Sequence, residues 1–198
     1  MAKTQTLLQV FVASPSDLVD ERKVLEEVID EINLTWSDAH NIRLELVKWE
    51  THTRPEFGED GQDVINRQIG DEYDIFLGVM WGRFGSCTNR ADSGTEEEFD
   101  RAYSRLKTSP GSVQIMFYFK DAGIPPSKMD PAQLVKVQEF KRKIASEYGG
   151  LYHEFESLDE FGMKSRIHLS KLLQDWLKPE SVSFRFLILW KTVWQEVR

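Results

Sequence analysis

The chain has 198 residues, 40% of them hydrophobic and 12% aromatic, enough apolar mass for one packed domain with a short appendage and too much for a wholly disordered chain. Its 25 basic and 33 acidic residues leave a net charge of −8, which argues against a duplex nucleic-acid partner, where affinity rests on Lys and Arg contacts to phosphate. The longest apolar run, Phe184 to Trp190, is interrupted by Arg185 and is too short to cross a bilayer; the N-terminus carries no signal-like segment, and Cys87 is the sole cysteine, so a cytoplasmic, reducing setting without a membrane partner is expected.

Strand-like and helix-like segments alternate along the chain. Leu7 to Ala13 is a short apolar, β-branched run of strand length. Ser14-Pro15-Ser16-Asp17 reads as a helix start, with Ser14 as N-cap, Pro15 in the first turn and Asp17 as a capping-box acid. Leu18, Leu25, Val28, Ile29 and Ile32 then mark one helical face; Asp20, Glu21, Arg22, Glu26 and Asp30 lie elsewhere on the helix, where Arg22 is expected to pair with Glu26. Ile42 to Trp49 alternates as a partly exposed second strand, Thr51 to Asp60 is a polar loop, and Asp63 to Ile69 is a short helix. Tyr73 to Trp81 is almost continuously apolar, as a central strand buried on both faces would be. A Gly- and Ser-containing loop over 82–94 leads to a helix over 95–108, a strand over 113–119, a Pro-marked loop, a long helix over 130–148, a short strand over 151–155 and a final helix over 158–177. This repeated strand–helix order predicts an α/β domain with a central, mostly parallel five-stranded sheet and helices on both faces. The domain should close near Lys178-Pro179. Residues 179–198, rich in Phe, Leu and Trp, read as an apolar helical extension or the start of a further domain.

In open parallel sheets the ligand crevice lies beyond the carboxyl ends of the strands, at the point where the winding reverses. The segments that matter are therefore Ser14 to Asp17, Trp49 to Thr51, and Trp81 to Glu98. None carries a Walker loop, a Gly-x-Gly-x-x-Gly fingerprint or a nucleophile elbow. The four histidines are scattered without metal-ligand spacing, so no metal site is expected.

The most specific local pattern is Asp92-Ser93-Gly94-Thr95-Glu96-Glu97-Glu98-Phe99-Asp100-Arg101-Ala102. It resembles the nucleoside 2′-deoxyribosyltransferase motif, in which a Glu attacks the anomeric carbon, and the related TIR domains, in which a Glu early in the helix after the third strand cleaves NAD. Together with Phe11-Val12, Ser14, Asp17-Leu18 and Glu21-Arg22, and with Gly82-Arg83-Phe84-Gly85-Ser86, it is most similar to a TIR-like group found at the N-terminus of NLR-like ATPases. The resemblance covers about the first two-thirds of the chain. It implies a flavodoxin-like or TIR-like three-layer sandwich and Glu98 as the catalytic residue. It also implies NAD as substrate rather than cofactor, self-association, and C-terminal ATPase and sensor domains in a defence or cell-death protein. The transferases' partner acid for protonating a leaving base has no clear counterpart here.

A lone carboxylate suffices for NAD. Nicotinamide leaves as a neutral molecule, so the site needs only to stabilise an oxocarbenium-like ribose. Arg83 and the backbone at Ser14 and Ser16 are candidate diphosphate contacts, Trp49 or Trp81 could stack on a base, and Asp92 and Thr95 complete the candidate set. Each has a plainer reading beside it. Thr95 with Glu98 is also a capping box, Ser14 a helix cap, Trp81 a core residue, and Glu97 a solvated acid. A non-catalytic homotypic interaction module and a nucleoside or nucleotide glycosyl transferase are the alternative functions.

Overall fold

The structure, a computed structural model, describes residues 4–48, 52–57 and 61–178. Trp49 and residues 179–198, singled out above, lie outside the described residues. Strands β1 (Thr6–Ala13), β2 (Ile42–Val47), β3 (Ile75–Met80), β4 (Gln114–Lys120) and β5 (His153–Phe155) form one five-stranded sheet in the order β2-β1-β3-β4-β5. Every pairing is parallel. The helices are α1 (Val19–His40), α2 (Gly61–Ile69), α3 (Gly94–Thr108), α4 (Pro131–Ser146) and α5 (Leu158–Trp176), with a 3₁₀ turn at Pro126–Lys128. This is the flavodoxin-like doubly wound order, and its winding reverses between β1 and β3.

The periods in the sequence explain the layers. Along β1, Leu8, Val10 and Val12 point to one face and Phe11 and Ala13 to the other, as a two-residue repeat requires. The first face packs on α1 and α5 through Leu25, Val28, Ile29, Phe161, Leu169 and Leu173. The second packs on α3 and α4 and is rich in aromatics. All six residues of β3 are buried, as its unbroken apolar run predicts for a strand covered on both sides. On the edge strand β2, the Asn33 side chain donates to the Leu44 carbonyl (2.9 Å) and accepts from the Leu44 N–H (2.8 Å), satisfying backbone groups that an edge would leave open.

α3 is fixed by Phe99. Its ring meets Phe140 at 5.3 Å, Tyr148 at 5.0 Å, Phe117 at 5.7 Å and Phe76 at 6.1 Å between centroids. Gly78 of β3 makes room for this cluster, because a Cβ there would fall 2.2 Å from the Phe117 ring. Gly78→Ala should therefore destabilise the fold by about 2–3 kcal/mol through overpacking. Urea denaturation would measure this, and an unchanged midpoint would show that the aromatic layer yields freely.

Candidate active site

The loops at the carboxyl ends of β1 and β3 enclose a cleft of about 500 Å³ at the winding reversal. Ser14, Ser16 and Arg22 line one side, Arg83 and Gly85 to Thr88 another, and Thr95 and Glu98 of α3 the floor beside Gln62 of α2. Asp130 and Gln133, from the start of α4, complete the rim. Of the residues singled out in the sequence, the structure brings Ser14, Ser16, Arg83, Thr95 and Glu98 into this one space. It leaves Trp81 and Asp92 outside its lining.

The three consecutive acids of α3 do three different things. The helix cap is Ser93 rather than Thr95: its Oγ accepts the Glu96 N–H at 3.0 Å, and Glu96 in turn accepts the Asp92 N–H at 3.2 Å. Glu98 is therefore not needed as a capping-box acid. Glu97 is not solvated but 5% exposed, and its Oε1 accepts from Arg90 Nε and from Asn66 Nδ2, both at 2.6 Å. Glu98 is 9% exposed, and its Oε1 accepts from Gln62 Nε2 at 2.8 Å. The helical rotation that buries Phe99 turns Glu98, one position back, toward α2 and the cleft. Thr95, one turn earlier, lies on the same side.

The first loop departs from its expected local structure. α1 begins at Val19 behind Leu18, which makes no side-chain cap, and not at Ser14. Ser14 Oγ accepts instead from Arg22 Nη1 at 2.8 Å, and Arg22 also donates to the Pro15 carbonyl at 3.2 Å. The expected Arg22–Glu26 pair is replaced by Lys48–Glu26 at 2.8 Å, and Arg22 points into the cleft. Asp17 Oδ2 reaches across to accept the backbone N–H groups of Gly82 (3.2 Å) and Arg83 (3.0 Å). From the other rim, Gln133 Oε1 accepts those of Phe84 (2.8 Å) and Gly85 (3.0 Å). The amides of residues 82–85 are thus all taken by side chains, and cationic groups in the cleft come from the Arg22 and Arg83 side chains.

Trp81 packs against the α1–α5 core, and its Nε1 donates to the Ala122 carbonyl at 3.0 Å. The Lys120 ammonium lies 4.3 Å from its ring and pairs at 2.7 Å with Glu21, which is 2% exposed. Asp92 is on the surface, paired with Lys136 at 3.0 Å. Sequence reasoning gave Arg22 and Asp17 only helix-start roles and passed over Gln133 and Gln62. The first two lie in a segment that looks like an ordinary helix start. The two glutamines carry no motif signal and are found only through their partners. Among the described residues no cluster of three or more His, Cys, Asp or Glu could hold a metal ion, and no helix is long and apolar enough to cross a membrane.

Burial pushes the Asp17 carboxyl up from its usual 3.8, against the backbone N–H groups of Asp17, Gly82 and Arg83 and the nearby Arg83 guanidinium, which pull it down. The folded chain therefore favours the protonated acid more than the unfolded chain does. This residue's contribution to stability is greatest at low pH and declines as pH rises through its raised folded value. Against an Asp17→Asn variant, wild-type stability should fall as pH rises from the ordinary carboxylate value of 3.8 through the raised folded value. Asp17→Ala, which strips two backbone N–H groups of their acceptor, should cost about 1–3 kcal/mol at neutral pH. Urea unfolding across pH measures both, and an Ala variant as stable as wild type would refute the clamp.

No curated protein matches the chain in sequence. Among solved structures it is similar to the apo translation elongation factor SelB from Methanococcus maripaludis (14% identity, TM-score 0.43, 86% of this chain and 35% of that one). It is also similar to S. aureus homoserine dehydrogenase at pH 8.5 (15%, 0.33, 76% and 32%) and to oxidised flavodoxin 1 from Bacillus cereus (13%, 0.35, 86% and 98%). The chain spans about a third of the length of the first two. A family model described as a domain of unknown function, DUF4062, matches residues 9–170, most of the chain and every element of the cleft, and the chain belongs to that family.

Proposed function

We propose that this domain is a TIR-like N-glycosidase that hydrolyses the bond between nicotinamide and ribose in NAD. The observation that carries the reading is the Glu98 carboxylate in a cleft at the winding reversal that two arginines also line. The arrangement suits a dinucleotide: a cleft of about 500 Å³ is in the range of small-molecule sites. Arg22 and Arg83 offer fork-shaped donors to a diphosphate, and Glu98 offers negative charge to an electron-poor anomeric carbon.

The chemistry balances with these groups alone. The C1′–N bond breaks, its electron pair neutralises the pyridinium, and neutral nicotinamide departs without a proton. The Glu98 carboxylate stabilises the oxocarbenium-like ribose or bonds to C1′. Water then adds at C1′, a proton goes to solvent, and ADP-ribose is left. The three sequence motifs that resemble the TIR-like group support the same reading. They also suggest a cytoplasmic effector switched on by clustering, with ATPase and sensor domains following it in the chain.

The test is to cluster the full chain artificially, incubate it with NAD and follow nicotinamide release by chromatography. Glu98→Ala and Glu98→Gln should both lower kcat by about a thousandfold, since Gln keeps the shape but loses the charge. Arg83→Ala should act mainly on KM, raising it about tenfold. Absence of release from a folded, clustered sample would favour the non-catalytic interaction module, and release that survives Glu98→Ala would move the chemistry elsewhere.

A further inference from the structure

α2 contributes no obvious acid, base or nucleophile to the cleft, yet it carries the group bonded to Glu98. Gln62 Nε2 donates to Glu98 Oε1 at 2.8 Å and to Asn66 Oδ1 at 3.1 Å. Asn66 Nδ2 donates to Glu97 Oε1 at 2.6 Å, and the same oxygen takes the Arg90 Nε–H at 2.6 Å. An ionised carboxylate only accepts, and a guanidinium only donates. With carboxylates at Glu97 and Glu98, both amides therefore have one orientation. Turning Asn66 over would set its oxygen against Glu97 and its NH₂ against the NH₂ of Gln62. Turning Gln62 over would set its oxygen against Glu98.

The remaining polar atom of Gln62 has its own seat. A Cβ on Gly94 would lie 2.4 Å from Gln62 Oε1, so the carbonyl end of the amide occupies the space that the missing side chain leaves. The glycine of the Ser-Gly-Thr motif is thus a slot for a side chain from another helix. Gln62 is held by Asn66 on its own helix, by the Gly94 slot on α3, and through Asn66 by the Glu97–Arg90 pair.

Resting on the glycosidase reading above, we infer that Gln62 is the positioning residue of the site: its amide, locked by the run Arg90–Glu97–Asn66 and seated over Gly94, holds the Glu98 carboxylate in the orientation that meets the anomeric carbon. Gln62 acts through Glu98 and touches no reacting atom. A carboxylate held by a fixed donor does not have to be reoriented during the reaction. The charged groups around it are Glu96, Glu97 and Arg101 on its own helix, Arg22 from the first turn of α1, Arg83 from the loop after β3, Asp71 beyond α2 and Asp130 from the rim.

Two independent substitutions test this in the full chain. Gln62→Leu removes the donor. Gly94→Ala leaves Gln62 intact but fills its seat, and the atom it meets is the far end of an unbranched side chain that can swing aside, so the fold tolerates it. Each should lower kcat for nicotinamide release about tenfold or more while KM stays within about twofold, and the double variant should be no worse than the more damaged single one. Additive losses, or a Gln62→Leu kcat near wild type, would overturn the proposal. A second readout needs no turnover. In chain labelled with carboxyl-¹³C glutamate, the Glu98 signal is assigned by its loss in Glu98→Gln. Its titration midpoint should move up by about 1 pH unit in Gln62→Leu, because a hydrogen bond to the charged form has been removed. If wild type releases no nicotinamide, the glycosidase reading falls and this measurement alone decides. A midpoint unchanged by Gln62→Leu would refute the tether.

Discussion

The rotation of α3 about its own axis governs everything at the carboxyl end of the sheet, and Phe99 sets that rotation. Its ring is 3% exposed and meets side chains of β3, β4 and α4 and the tyrosine beyond α4. Turning the helix by one residue would take an aromatic ring out of that layer and put a carboxylate in, an exchange costing several kcal/mol. Three acids in a row are thereby assigned to three surroundings: one to the cap, one to a buried ion pair and one to the cleft. The order of residues in a single turn becomes a spatial assignment because one of them cannot be anywhere but inside.

Around that turn several backbone N–H groups are met by side chains rather than by backbone ladders. Asp17 and Gln133 take four successive amide N–H groups of one loop, Arg22 holds the other loop through Ser14 and Pro15, and Ser93 with Glu96 closes the helix start. Loops at a ligand crevice usually gain mobility from unpaired backbone; here both walls are tied to the scaffold. The arrangement suits chemistry that depends on placement more than on proton transfer.

The elements of the fold were legible because each carries its own period. The buried run of β3, the alternation in β2 and the stripe of α1 announce their types directly, and the helix-start signal at residues 93–98 marks α3 to within a residue. The cap itself was displaced: the local pattern fits both Thr95–Glu98 and Ser93–Glu96, and only the position of Phe99 in the core chooses between them. Arg22 shows the opposite case. Its spacing to Glu26 favours a surface pair, but Lys48, just past β2, captures that carboxylate, and the guanidinium bonds to the first loop. Gln62 and Gln133 were illegible. An uncharged amide has no periodicity and no motif, and its partners are 36 and 48 or 49 positions away. Glu97 was misread as solvated because nothing near it in sequence announces that Asn66 comes to meet it.

The pinning of residues 82–85 from both sides separates two tasks that loops commonly combine. The path of this loop is dictated by an aspartate and a glutamine that belong to other elements, so the loop's own side chains at Arg83, Ser86 and Cys87 are released from any duty to shape it. They form an interchangeable surface on a fixed mount. In such a design the choice of ligand can drift by substitution at those positions without refolding the crevice, while the mount itself can change only at Asp17 and Gln133.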